Sequence, residues 1–103
     1  MVLMSSENKI HLTIELTGIA KDIAGQKELE MQLSPHETYH NVVEKLATLY
    51  PGLVNVLISP DRKTFLSSNL FIINDEMNDP VFFMEENPQD GDRLTLVSVM
   101  TGG

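Results

Sequence analysis

Apolar and polar residues alternate strictly between Lys9 and Thr17, with Ile10, Leu12, Ile14 and Leu16 on one side and His11, Thr13 and Glu15 on the other. A period of two is that of a β-strand with one buried and one wetted face. The rhythm returns from Gln26 to Leu33, where Leu29, Met31 and Leu33 alternate with Glu28, Glu30 and Gln32. The stretch between them, Gly18 to Gly25, begins and ends in glycine and reads as a loop or hairpin connection. The two strands pair most simply as an antiparallel hairpin with their apolar faces on the same side.

After Leu33 the period changes. Tyr39, Val42, Val43, Leu46, Leu49 and Tyr50 recur at spacings of three and four, which predicts an amphipathic helix that Pro51-Gly52 ends. Its start has two candidates. Ser34-Pro35-His36-Glu37 has the form of a capping box with proline at the first helical position, and Thr38 would cap a helix one turn shorter. Leu53 to Ile58 reads as a short strand or as an apolar loop closing the core, and Ser59 to Lys63 has turn chemistry. The apolar run Leu70 to Ile73 predicts a strand in the middle of a sheet. Met77 to Asn87 is irregular, with Val81, Phe82, Phe83 and Met84 available to pack under the sheet. Pro88 to Asp92 forms a tight turn into a final strand beginning at Arg93.

Strand, strand, helix, strand, strand, with a hairpin in front and the helix crossing the sheet, is an α+β order of the β-grasp type. It implies a mixed sheet of four to five strands on one main helix, with the first and last strands parallel at its centre. At 103 residues the chain makes one domain, expected over residues 9–100. Residues 1–8 are expected to be a flexible N-terminal segment and 101–103 a flexible C-terminal Gly-Gly tail. In the final strand Leu94 and Leu96 should face the helix. Thr95, Val97 and Val99 then fall on the opposite face, an apolar patch expected to meet partners unless residues 53–68 fold over it.

Charge and composition narrow the partners. A net charge of −8 argues against nucleic-acid phosphates and anionic membranes, and no apolar run approaches the length of a membrane span. Cysteine is absent, which removes disulfides, thiolate metal sites and a cysteine nucleophile together; the cytoplasm is the expected location. His36-Glu37-Thr38-Tyr39-His40 matches the zinc-protease pattern H-E-x-x-H. That chemistry needs both imidazoles on one face of an established helix and a third ligand. Here the pattern straddles a helix start, and the one other histidine, His11, belongs to the outward face of the first strand, so no metal site is expected.

The chain then offers Thr38 opening a helix that closes at Tyr50-Pro51-Gly52, Ile73-Asn74 ending a strand, Asp90-Gly91-Asp92 leading into the last strand, and Thr101-Gly102-Gly103 after it. In these features it resembles the MoaD/ThiS sulfur-carrier proteins, ubiquitin-like β-grasp domains that include the small subunit of molybdopterin synthase. The resemblance covers roughly residues 9 to 103. It departs where many members carry prolines and this chain has Ser98-Val99-Met100, which bears on the pathway more than on the family.

The resemblance implies a protein co-substrate with no catalytic residue and no bound cofactor. A ubiquitin-activating-type adenylating enzyme, using ATP and magnesium, would activate the carboxylate of Gly103. A sulfur donor would then leave a thiocarboxylate for a sulfur-acceptor enzyme, the molybdopterin synthase large subunit or its equivalent. Glycine at 102 and 103 suits a tail that must thread a narrow channel. Other readings stay open: a ubiquitin-like modifier, a carrier for a thiamin or cysteine pathway, or a plain β-grasp interaction module.

Overall fold

A computed structural model describes residues 9–66, 69–73, 79–81 and 83–98. The elements run β1 (Ile10–Leu16), α1 (Gly18–Ala24), β2 (Glu28–Leu33), α2 (Tyr39–Leu49), a 3-10 turn (Pro51–Leu53), β3 (Asn69–Ile73), β4 (Asp79–Pro80) and β5 (Arg93–Ser98). They form one five-stranded sheet in the order β2-β1-β5-β3-β4. β1 and β5 lie parallel at its centre, and β1 pairs antiparallel with β2 from Ile10 opposite Leu33 to Glu15 opposite Glu28. The alternating strands therefore present one apolar face, and Leu12, Ile14, Leu16, Leu29, Met31 and Leu33 are all buried.

α2 lies across that face and buries Tyr39, Val42, Val43, Leu46 and Ala47. Leu49, placed on the stripe by its spacing, is 55% exposed, and Ala47 takes the buried position in the last turn. Tyr50 is partly buried against the core. The helix begins at the second of the two candidate caps. Thr38 is extended at φ −113 and ψ 179, and its N–H donates to Asn41 Oδ1 at 2.8 Å, the reciprocal arm of a capping box. Ser34 and Glu37 also close on each other, Ser34 N–H to Glu37 Oε1 at 2.8 Å and Glu37 N–H to the Ser34 carbonyl at 3.0 Å. That bonded turn does not propagate, because extended Thr38 interrupts it.

The connection between β1 and β2 is a helix and not the loop expected from its glycines. Gly18 and Gly25 stand at its two ends with φ of +56 and +75, the second as a left-handed C-terminal cap whose N–H donates to the Lys21 carbonyl. Ala20 is buried while Ile23 and Ala24 pack against the core, so a seven-residue helix covers one end of it.

Residues 51–66 form a loop on the helix side of the sheet. Leu53, Leu57 and Ile58 are in the core, the Phe65 ring meets Phe71 edge-on at 5.0 Å, and Arg62 donates to the Ala47 carbonyl at 3.1 Å. Of the four residues expected to pack under the sheet after Pro80, Val81 is buried and Met84 packs on the core, while Phe83 is 65% exposed; Phe82 lies outside the described residues. The 83–87 segment instead seals the start of α2. The carbonyls of Glu86 and Met84 accept the otherwise unpaired N–H groups of Tyr39 and His40 at 3.1 and 3.2 Å.

Candidate functional site

The two faces of β5 differ in every residue. Leu94 and Leu96 are buried toward α2, whereas Arg93, Thr95 and Val97 are half-buried on the outer face. Strand register sets what surrounds them. Leu70 stands opposite Val97 and Ile72 opposite Thr95 on β3, while Glu15 is beside Thr95 and Thr13 beside Arg93 on β1. Leu70 and Ile72 are themselves half-buried and belong to no core cluster. The outer face thus divides into an apolar half on β3 and β5 and a charged half on β1 and β2.

The patch expected at Thr95, Val97 and Val99 changes in two respects. Val97 is half-buried, flanked by Leu70 across the ladder, so the apolar surface is broader and shallower than isolated valines would make it. Leu70 and Ile72, missed from sequence, join it. Their signal was the unbroken run Leu70-Phe71-Ile72-Ile73: successive strand side chains point to opposite faces, so such a run must place apolar residues on the outer one. Residues 53–66 lie on the other side of the sheet and do not cover this face. Val99 lies outside the described residues.

Arg93 ties the charged half together. Its guanidinium is 3.3 Å from Glu28 and 3.5 Å from Glu15, and Thr95 Oγ1 donates to Glu15 Oε1 at 3.2 Å. Hydrogen bonding to Glu28, then the charges of Glu28 and Glu15, hold the Arg93 pKa above its ordinary value. The pairs are open to water and contribute little to stability. Their effect is positional: a fixed polar border beside the apolar half, which is how interfaces are commonly edged.

Both ends of β5 are anchored by side chains. At its start, the Asp90-Gly91-Asp92 turn docks on β1: Asp90 Oδ1 accepts the His11 N–H at 2.8 Å, and Gly91 N–H, at φ +89, donates to the His11 carbonyl at 2.8 Å. A side chain at Gly91 would be strained in that conformation. At its end, Thr17 Oγ1 donates to the Leu96 carbonyl at 2.8 Å and Ser98 Oγ bonds Asn69 Oδ1. The chain beyond Ser98 therefore leaves from the middle of the sheet, at the edge of the apolar half. Thr101, Gly102 and Gly103 lie outside the described residues.

The H-E-x-x-H residues are not brought together as the zinc pattern requires. His36 is exposed in the turn before α2 while His40 is in its first turn, with Nδ1–H donating to the Lys63 carbonyl at 2.8 Å and Nε2 3.8 Å from Glu85. Among the described residues no three His, Cys, Asp or Glu side chains assemble into a metal-holding group, and no helix is long and apolar enough to cross a membrane. Beside them Tyr39 is buried, and desolvation, then the charges of Asp92 and Glu86, push its phenol pKa up to about 12.

A central parallel strand pair, antiparallel neighbours on both sides and one long helix across the inner face define the ubiquitin-like β-grasp class. Within that class the family model of the ThiS family matches residues 14–103, and the chain belongs to this family of ubiquitin-like sulfur carriers. No curated protein sequence matches the chain. The fold is similar to that of SAMP1 from Haloferax volcanii (17% identity, 90% of this chain and 99% of that one, TM-score 0.73). It is also similar to Urm1 from Trypanosoma brucei (27% identity, 97% and 100%, TM-score 0.62). A third likeness is to a putative molybdopterin converting factor subunit 1 from Pyrococcus furiosus (14% identity, 88% and 99%, TM-score 0.70). Family members are small carriers rather than catalysts, and they work with adenylating enzymes and sulfur-acceptor enzymes.

Proposed function

We propose that this protein carries sulfur as a thiocarboxylate on Gly103 and delivers it in cofactor biosynthesis, with molybdopterin as the favoured product. The observation that carries this reading is the family match, which runs through Gly102 and Gly103. A carboxylate resists nucleophiles until one oxygen becomes a good leaving group. Attack of the Gly103 carboxylate on the α-phosphorus of ATP, with magnesium held by the adenylating partner, forms an acyl-adenylate and releases pyrophosphate. A sulfur nucleophile then adds to the acyl carbon and AMP departs, leaving C–S in place of C–O. No residue of this chain needs to act as acid or base in either step, so the protein is a co-substrate and not an enzyme. It binds no cofactor of its own, and the chemistry belongs in the cytoplasm, where ATP and reduced sulfur are available.

The outer face of β3 and β5 supplies the grip. Val97, Thr95, Leu70 and Ile72 lie beside the point where the chain leaves the sheet, so a partner that covers them holds the root of the tail while Gly103 reaches its active site. The adenylating enzyme and the sulfur acceptor would use the same surface, bind in turn and exchange by competition. Incubation with the cognate adenylating enzyme, ATP and a sulfur source should exchange one oxygen for sulfur at Gly103, read by intact-protein and C-terminal peptide mass spectrometry. An unchanged mass with an active enzyme overturns the proposal, and an isopeptide link from Gly103 to lysines of other proteins would assign it to modification instead.

A further inference from the structure

The sheet has an open edge two strands from β5. β2 is an outermost strand, paired with β1 on one side and with no strand on the other. Leu16 N–H bonds the Lys27 carbonyl at 2.7 Å, so by the alternation of an antiparallel ladder Leu29, Met31 and Leu33 turn their backbone groups toward β1. Glu30 and Gln32 turn theirs outward, and those groups have no partner among the described residues. Immediately beside this edge, on the helix side, runs a groove of about 630 Å³ between β2 and α2. Met31 and Leu49 supply its apolar lining, and Leu49 is the stripe residue that the fold leaves 55% exposed.

We infer that this edge and groove form a second docking site, which takes an extended segment of a partner protein carrying alternating basic and apolar residues. An open strand edge selects an extended backbone, because only that conformation matches its spacing of N–H and carbonyl groups. Strand period then sends alternate side chains of the added segment inward, over Met31 and against Leu49. The charges select the rest. Of the two cations at the groove, Lys45 is paired with Glu37 at 3.7 Å and Arg62 is turned to the Ala47 carbonyl at 3.1 Å, and the acids Glu30, Glu44 and Asp61 outnumber them. Glu44 lines the groove from α2, and Asp61, whose carboxylate accepts the Lys63 and Thr64 N–H groups and is thereby held below the usual carboxylate range, stands at the other rim, while the Glu30 side chain lies on the outer face of the strand edge itself. Acidic borders on a chain of net charge −8 favour lysine or arginine in the occupant. A second copy of this chain fits poorly, since pairing two β2 edges brings Glu28 and Glu30 of both copies to one seam with no cation from either strand. The groove lies on the opposite face from Val97 and the edge is two strands from β5, so the site is free while the outer face of β3 and β5 is covered.

The test is a titration of the isotope-labelled protein with a short capped peptide of alternating lysine and valine, followed by amide NMR. The Glu30 and Gln32 amides should shift and become protected from hydrogen exchange. A glutamate-for-lysine peptide should bind at least about tenfold more weakly. Gln32→Pro removes one outward N–H and leaves the β1 ladder intact, so affinity should fall about tenfold. Leu49→Ala, at an exposed helix position, provides a second variant and should weaken binding several-fold. Shifts confined to β3 and β5, equal binding of the acidic peptide, unchanged affinity in both variants, or no binding at millimolar peptide would each overturn the proposal. Concentration-dependent shifts of Glu30 and Gln32 without peptide would assign the edge to self-association and overturn it equally.

Discussion

The inner and outer faces of β5 are made by alternate residues of one strand, yet their surroundings differ. Leu94 and Leu96 are closed off by α2 and contribute to folding. Arg93, Thr95 and Val97 are half-buried between β1 and β3 and contribute less to it, although Val97 with Leu70 is no less apolar than many core pairs. A carrier that must be gripped by successive enzymes has reason to keep such a surface on the strand from which its tail departs. The difference teaches that apolar character alone does not identify the core. A residue's register partner and the layer above it decide whether it is sealed in the core or left half-buried at the surface.

The comparison breaks first at Phe71. This ring is fully buried opposite Leu96, 5.0 Å from Phe65 on the loop and 6.3 Å from Tyr39 on α2, so one side chain joins sheet, loop and helix. Phe71→Ala should cost about 3–5 kcal/mol in a denaturant titration. Its outer-face neighbours Leu70 and Ile72, on the same strand, should cost much less when truncated.

Tyr39 sharpens the inner face by pH. Its phenol titrates near 10 in the unfolded chain and at about 12 in the fold. The native state therefore holds the proton more tightly, and this contribution is fully present below pH about 10 and lost as pH rises toward about 12. A shift of that size corresponds to about 2–3 kcal/mol. Thermal melts should fall across that alkaline window, and Tyr39→Phe should flatten the fall; an identical decline in the variant would show that other groups cause it.

How much of this was legible depends on where the information lies. β1, β2 and β5 alternate in sequence and fold as they read, and the stripe of α2 was visible because it is local. α1 was not, because its seven residues are bracketed by glycines that signal a loop equally well. The Gly25 cap and the Ile19-Ala20-Ile23-Ala24 spacing were the available clues. Leu49 fell off the stripe because the sheet ends beside it, at the open edge of β2, a fact of topology rather than of period. Residues 53–66 take their shape from Phe71, Ala47 and His40, distant partners that no local pattern announces. At the candidate site, Val97 and Thr95 followed from alternation and the outward pair Leu70 and Ile72 was implicit in the unbroken apolar run, whereas their place beside Val97 and Thr95, and the Arg93 bridge to Glu15 and Glu28, required the register of four strands.

The smallest expected effect on folding falls at Val97, and it decides the account. Val97→Asp should remain folded, with a stability loss of about 1 kcal/mol against the 5–15 kcal/mol of an ordinary domain. Its affinity for the cognate adenylating enzyme, and for the sulfur acceptor, should fall at least about tenfold, because a carboxylate would be buried in an apolar contact. The direct measurement is calorimetric titration of each partner with wild-type and Val97→Asp protein, after circular dichroism has established that both are folded. Parallel weakening toward both partners is the predicted result. A folded variant that binds either partner with unchanged affinity would contradict the shared surface, and an unfolded one would place Val97 in the core with Leu94 and Leu96.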